Sequence, residues 1–477
     1  MRPSEYDLED PIAAIATALV PSALGVVRVT GKGAIELVAR AFSRPDALLG
    51  AAGGTLVHGW ILAPARPGER ERGRVDEVVL SVFRAPRSFT GEDSVDVTGH
   101  GGIATVLAVY RAIIAQGARP AERGEFSLRA FANGKADLTK SEATREIIEA
   151  QTDEARSRAA LRLAGSLAAE ISGVRDDIVR ALAAIEAEIE YPEDEETTAG
   201  AFDDELVARA RARLKSLESA WAAEKLYQDG ARVVLAGKTN AGKSSLFNAL
   251  LKEDRAIVSE VHGTTRDWLE SRADFLGIPA RVFDTAGLRE AEDAIEAEGI
   301  ARSRTLAGEA DLVLYLVDAT EGLSAGDISF FSSRASREPP VILVWNKSDK
   351  PGAKPASAAG AGIDAVAVSA KSGAGISALV EAAARVLKGE SGEEEAGRRT
   401  AAGGTRPCAP GSERQKDAIC RALGFLDHAS DAAREGFPMD AVAQDLEDAL
   451  LALGEITGET TSADILDAVF SGFCVGK

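Results

Sequence analysis

Cysteine is scarce in this 477-residue chain, which has only Cys408, Cys420 and Cys474. Their spacing gives neither a disulfide framework nor a zinc-ligand pattern, which excludes a stapled secreted fold and a structural zinc site. No run of about 18 apolar residues is free of charge, so no membrane-spanning helix is expected. The opening Met1–Asp10 is acidic and lacks the apolar core of a signal peptide, and a cytoplasmic location is expected. Basic residues are in deficit, 55 Lys and Arg against 75 Asp and Glu, for a formal net charge of −20. Affinity for nucleic acid by general phosphate neutralisation is therefore excluded, and any RNA substrate needs a local basic face or a partner protein. No internal repeat is visible. Hydrophobic residues at 45% and charged residues at 27% describe an ordinary globular chain with roughly two to four domains.

The informative stretch is residues 232–245. The apolar, β-branched Val233-Val234-Leu235 leads into Gly237-Lys238-Thr239-Asn240-Ala241-Gly242-Lys243-Ser244-Ser245. This is the phosphate-binding loop pattern, a strand feeding a Gly-rich turn that opens a helix. The glycines let successive backbone N–H groups point at phosphate oxygens, and the helix adds its positive end. Lys243 is spaced to reach the terminal phosphates, and the Ser244 hydroxyl to ligate Mg²⁺. Three later segments name the base. Asp284-Thr285-Ala286-Gly287 follows a strand-like run, as do Asn346-Lys347-Ser348-Asp349 and Ser369-Ala370-Lys371. The Asp349 carboxylate can accept both N1–H and N2–H₂ of guanine, a pair that adenine lacks. Asn346 can bond the opposite base edge, and the 369–371 segment can give a backbone N–H to the guanine oxygen. All four signals fall at the carboxyl ends of strands, where α/β sheets hold ligands.

Residues 1–130 read as β-rich α+β, with strand composition at Val26–Val29, Glu77–Phe83 and Ser94–Val97 and helix patterns over Gly33–Phe42 and after Gly102. Residues 131–228 read as helical, in particular Ser141–Ala150 and an unbroken run over Glu154–Ile189 that Pro192 ends. The acidic Glu193–Glu196 and Asp203–Glu205 read as a solvated turn and a helix start. Alternating strand and helix patterns fill 229–387, which implies a mostly parallel sheet. Residues 388–411 read as a linker, and 412–477 as helical again, over Lys416–His428, Ala441–Thr457 and Ser462–Phe470. An α/β nucleotide domain inserted into one all-α domain is the economical arrangement.

Several segments resemble the tRNA-modification GTPase TrmE/MnmE family. They are Ser88-Phe89-Thr90-Gly91-Glu92-Asp93, His100-Gly101-Gly102, Gly124-Glu125-Phe126-Ser127 with Arg129-Ala130-Phe131, Gly263-Thr264-Thr265-Arg266-Asp267 and Phe473-Cys474-Val475-Gly476-Lys477. The resemblance spans nearly the whole chain. It implies an α+β folate-binding domain, a helical domain in two segments and an inserted P-loop GTPase domain. It implies a homodimer that joins an FAD-dependent partner protein in a heterotetramer of two dimers. Together they install an aminomethyl or carboxymethylaminomethyl group at C5 of the wobble uridine, position 34, of certain tRNAs. A 5,10-methylene- or 5-formyl-tetrahydrofolate supplies or stands for the one-carbon unit, and GTP hydrolysis with K⁺ between dimerising GTPase domains drives the cycle.

The resemblance also assigns site residues. Ser244 and Thr265 become Mg²⁺ ligands. Ser259-Glu260-Val261-His262-Gly263-Thr264-Thr265 lies against GTP, and Asn240, Ser259, Val261 and Thr264 ligate K⁺. Many GTPases carry a water-orienting Gln directly after Asp-x-x-Gly. Here that position is Leu288, and the resemblance assigns the catalytic carboxylate to Glu296. Arg28, Asp96, Lys135 and Lys477 become folate contacts. Two departures touch that pocket: Asp96 stands where the family has Glu, and Ala18–Leu24 stands where it has a Gly-rich turn. Alternatives stay open at single residues. Arg28 reads equally as a salt-bridged strand residue, Asn240 as a turn residue, His100 as a turn residue, and Cys474 as a buried free thiol or a nucleophile. The competing reading for the whole is a GTP-switched RNA-binding or ribosome-assembly factor, which needs neither the N-terminal region nor the Cys-Val-Gly-Lys tail.

Overall fold

The computed structural model describes residues 10–64, 72–190, 202–252, 270–284, 310–332, 339–357, 363–389 and 408–476. Its contacts divide the chain into two compact units, one of Met1–Arg145, Leu163–Arg211 and Asp417–Lys477, the other of Glu146–Arg162 and Ala212–Lys416.

The first unit is built on a six-stranded sheet. Its strands are β1 (Ile12–Ile15), β2 (Ser22–Thr30), β3 (Thr55–Leu62), β4 (Arg74–Phe83), β5 (Ser94–Gly101) and the short β6 (Arg119–Pro120), ordered β3-β4-β5-β2-β1-β6. All neighbours are antiparallel except β1 and β6. Alternation decides the faces. Val27 and Val29, Val78, Leu80 and Val82, and Val95 and Val97 are buried under α1 (Ala34–Arg40) and α3 (Ile103–Ile114). The short α2 (Pro45–Leu49) closes the edge of that core with Leu48. Arg28 and Asp96 lie on the opposite face and are direct cross-strand partners.

Beyond the sheet come α4 (Glu125–Ala132) and α5 (Leu138–Glu149). The run read as one helix over Glu154–Ile189 is two, α6 (Asp153–Leu163) and α7 (Ser166–Glu190). Gly165 between them adopts φ +96°, a left-handed conformation that stops a helix. α8 (Asp204–Asp229) follows, and at the other end of the chain α12 (Glu413–Glu435), α13 (Met439–Thr457) and α14 (Ala463–Ser471). α13 packs along α7. Val469, Phe470 and Phe473 form a small core with Leu128 of α4 and Leu138 of α5. The tail is pinned further, since Arg123 Nε donates to Phe473 O at 3.0 Å and Arg123 pairs with Val475 as a β-bridge.

The second unit holds a sheet ordered β12-β11-β10-β7-β9-β8, of β7 (Ala231–Gly237), β8 (Glu270–Phe275), β9 (Ile278–Asp284), β10 (Leu312–Asp318), β11 (Val341–Asn346) and β12 (Asp364–Ala367). It is parallel except at β8. Continuous apolar runs such as Leu312–Val317 are buried because α9 (Lys243–Lys252), α10 (Ala325–Ser332) and α11 (Ile376–Leu387) cover the strands. α6 belongs to this unit up to Arg162. Thr152 Oγ1 donates to Gly277 O at 2.7 Å, and Arg158 and Arg162 donate to Glu224 at 2.9 and 2.6 Å. The Glu193–Glu196 turn and most of the 388–411 linker lie outside the described residues.

A buried ionic cluster anchors the first unit. Arg129, with a fully buried side chain, donates to Asp10 Oδ1 at 2.8 Å and Glu125 Oε1 at 3.0 Å. Arg119 donates to both of these carboxylates as well. Burial alone would raise the Asp10 carboxyl, but the two guanidiniums hold it below its ordinary value. Removing one member strands a buried charge, so Arg129→Ala should cost about 3 kcal/mol or more of stability. The cost reads out as a fall in the urea midpoint of the transition of this unit. Arg129→Lys, which keeps the charge but not the forked geometry, should recover only part of it.

Candidate functional site

The carboxyl ends of β7, β10, β11 and β12 bring the nucleotide motifs together. After β7 the chain turns through Gly237 at φ +129°, Asn240 at φ 65° and Gly242 at φ 97°. A Cβ on Gly237 would stand 2.3 Å from Leu316 O, and one on Gly242 2.2 Å from Asn346 Nδ2. Both glycines are therefore required by close approach as well as by φ. Lys243 is buried, and its ammonium donates to Gly237 O at 3.0 Å and Lys238 O at 2.9 Å, so it lies across the loop. Ser244 and Ser245 are exposed in the first turn of α9, and Ala241 is buried beneath the loop.

Asn346 is 1% exposed, and its carboxamide is engaged within the protein. Its Nδ2 donates to Ala241 O at 2.8 Å, and its Oδ1 accepts from Ala370 N at 3.1 Å. Asn346 thus clips the phosphate loop to the 369–371 loop. The N–H of Ala370 is engaged by Asn346 on the other side of that clip. Asp349 is exposed at the mouth, and the Ser369 hydroxyl holds its carboxyl below the usual range.

Two acids in this site carry no motif in the sequence. Asp318 ends β10 and accepts from Lys347 Nζ at 2.6 Å; Lys347 also donates to Asn240 O at 2.7 Å. Burial opposes ionisation of Asp318, yet bonds from Lys347 and Thr320 outweigh it and hold its pKa at about 2. Asp327 takes the Tyr315 hydroxyl at 2.8 Å and the Ser324 N–H at 2.7 Å, with Lys238 3.6 Å away. The signal was available in principle, because Asp318 is the polar stop of an apolar strand beside the phosphate loop.

Other predicted residues fall elsewhere. Asp284 ends β9, one strand from the loop. Ser259–Thr265, Thr285–Leu288, Glu296 and Lys477 lie outside the described residues. In the first unit Arg28 grips Asp96 in a fork, 2.9 Å from Nε to Oδ1 and 3.2 Å from Nη2 to Oδ2. The guanidinium lies 6.0 Å from the Phe89 ring centroid and 5.9 Å from that of Phe126. Lys135 is exposed and donates to Pro86 O at 3.0 Å. Cys474 is exposed, which removes the reading of a buried thiol. His100 is a strand residue rather than a turn residue, its Nδ1 2.7 Å from Asp76 Oδ1, and that carboxylate raises its pKa.

Asp318→Asn removes the charge that fixes Lys347 and should weaken GTP binding about tenfold. The same substitution tests a pH effect. A carboxyl lowered on folding stabilises above its unfolded pKa and loses that contribution as pH falls through about 2. The variant's stability should therefore vary less with pH below about 4 than that of the wild type.

Comparison with known proteins agrees along the whole chain. A profile described as "GTP-binding protein TrmE N-terminus" matches residues 11–135, and one for the MnmE helical domain matches residues 138–474. The tRNA modification GTPase MnmE of Treponema denticola is 51% identical over 485 residues, covering 100% of both chains. That of Thermus thermophilus is 39% identical over 477 residues, covering 98% of this chain and 99% of the relative. That of Borrelia turicatae is 38% identical, with 99% of each chain covered. With a phosphate-binding loop and a guanine-type strand-end cluster in place, the chain belongs to the MnmE family of tRNA modification GTPases and is a GTP hydrolase.

Proposed function

We propose that this GTP hydrolase works as a homodimer with an FAD-dependent partner protein. Together they install an aminomethyl or carboxymethylaminomethyl group at C5 of the wobble uridine of certain tRNAs, using a tetrahydrofolate one-carbon unit. The observation that carries the nucleotide half is the convergence of Lys243, Asn346, Asp349 and Ser369 at one end of one sheet. Asp349 accepts the guanine N–H groups, and the second Nδ2 hydrogen of Asn346 serves the other base edge. Loop N–H groups and Lys243 stabilise charge on the phosphates. The domain limits are 1–130, 131–228, 229–387 and 412–477, with 388–411 as a linker.

The donor set suits the ions. Ser244 offers an exposed hydroxyl at the helix start, and Asn240 an exposed carboxamide within the loop. With Thr265, Ser244 would hold Mg²⁺; with Ser259, Val261 and Thr264, Asn240 would hold K⁺. Bound there, the ions supply positive charge beside the phosphates. The remaining task is orienting water, which Leu288 cannot do, and Glu296 takes that role. The folate half rests on the Arg28–Asp96 fork beside two aromatic rings, with Lys135 and Lys477 for anionic parts of the cofactor. The exposed Cys474, next to the buried Phe473, is the candidate thiol of the modification chemistry.

GTP turnover at equal ionic strength in KCl and NaCl, with Mg²⁺ present, tests the cation site. K⁺ should stimulate the wild type, and Asn240→Ala should lose the stimulation; an unchanged K⁺ response in the variant would remove Asn240 from the site. Glu296→Ala should lower kcat by about a hundredfold or more while leaving GTP binding intact. Modification of tRNA by the wild type and Cys474→Ser, reconstituted with the partner and folate, tests the rest. Equal yields would retire the thiol.

A further inference from the structure

The end of the GTPase sheet that faces away from the nucleotide motifs is clamped by helix. The turn between β8 and β9 is held there at Gly277, which has φ +90° and donates its N–H to Asp274. Its carbonyl accepts from Thr152 Oγ1 at 2.7 Å, and the same hydroxyl accepts from Ala155 N at 3.2 Å, which caps α6. A Cβ on Gly277 would stand 2.6 Å from Glu154 Cβ, so the turn lies directly against the helix. Two residues on, Pro279 O closes on the α8–β7 junction, 2.5 Å from where a Gly230 Cβ would be.

Behind this contact lies a buried ionic seam. The Arg158 guanidinium sits 3.9 Å from the ring centroid of Tyr227, which is part of the sheet core with Phe275 and Ile278. Arg158 and Arg162 share Glu224, which is 1% exposed, and Arg162 Nε reaches Glu146 Oε2 at 2.8 Å. A Cβ on Gly411 would stand 2.7 Å from Arg162 Nε, so the returning chain rests on the same group. Opening such a seam part way strands buried charges, which makes it move as a whole or not at all.

The other ends of the same two strands meet the nucleotide motifs. Thr265 precedes β8 in the sequence, and β9 ends at Asp284. A strand is already extended and cannot lengthen, and β9 covers roughly 20 Å at about 3.3 Å per residue. A displacement at Asp284 along the strand therefore either breaks the Thr152–Gly277 contact or carries α6 with it.

We propose that the Thr152–Gly277 contact is a coupling joint, through which the nucleotide state of the GTPase sheet acts on α6 and the Arg158–Glu224–Arg162–Glu146 seam. This inference rests on the reading of Thr265 and Asp284 as nucleotide-contacting ends. Coupling is reciprocal, so a joint that responds to the nucleotide must in turn affect the choice of nucleotide. Two measurements on the full chain with Mg²⁺ and K⁺ test it: amide hydrogen exchange over residues 153–162, and calorimetric affinities for GDP and a non-hydrolysable GTP analogue. Exchange in the wild type should differ between the two nucleotides. Thr152→Val, which keeps the shape and removes the hydroxyl, should change the ratio of the two affinities about threefold or more, and Thr152→Ser should restore it. Identical wild-type exchange with both nucleotides, or an unchanged ratio in Thr152→Val, would overturn the joint and leave the nucleotide site standing. The same holds for equal losses with both nucleotides, which would make the contact purely structural. Binding of neither nucleotide by the wild type would overturn the nucleotide reading and this inference with it.

Discussion

One buried carboxamide holds the nucleotide site together. Asn346 reaches from the end of β11 to Ala241 O on one side and Ala370 N on the other. Three chain segments far apart in sequence meet at that group. Its Nδ2 also accounts for Gly242, because a side chain there would occupy the amide's position. A second link runs parallel, from Asp318 through the Lys347 ammonium to Asn240 O. The phosphate loop is thus held from β10 and β11 by charge-assisted and amide bonds, and does not depend on glycine flexibility alone. A loop so held presents its N–H groups in place before the nucleotide arrives, which is what electrostatic stabilisation of a phosphoryl group requires.

The first unit follows a similar logic with different chemistry. The Arg119–Arg129–Asp10–Glu125 cluster fixes α4 against the start of β1, and α4 carries Phe126 to Arg28. The tail is tied to the same helix, since Phe470 and Phe473 pack on Leu128 and Phe131. Position 124 must be glycine there, because a Cβ would stand 2.3 Å from Phe470 O. Glu-Phe-Ser and Phe-Cys-Val-Gly are therefore two sides of one packing arrangement, which gives each motif a physical reason beyond its resemblance to a family.

Much of this was legible in the sequence because short-range chemistry wrote it there. The phosphate loop needs its glycines and its lysine at fixed spacing, and apolar runs ending in Asn346 or Ser369 announce the mouth of a parallel sheet. What could not be read depends on contacts distant in sequence. Nothing in the run around Asp318 says that Lys347 will meet it 29 residues on. The clip made by Asn346 could not be read because its partners, Ala241 and Ala370, offer only backbone atoms and leave no trace in side-chain identity. The helix read over Glu154–Ile189 failed at Gly165, where a single left-handed residue outweighed strong helix formers on both sides. β1 and β8 were missed because Ala-rich and charged segments carry weak strand signals on their own and gain them from pairing.

Asn346 acts first as a clip within the protein. Thermal or urea unfolding of nucleotide-free Asn346→Ala, followed through the GTPase unit, tests it most directly. Loss of the carboxamide leaves Ala241 O and Ala370 N without their partner, so the nucleotide-free protein should lose about 1–3 kcal/mol of stability, together with GTP affinity. Wild-type stability without nucleotide, combined with lost GTP affinity, would show that Asn346 serves only to read the base and would contradict the account.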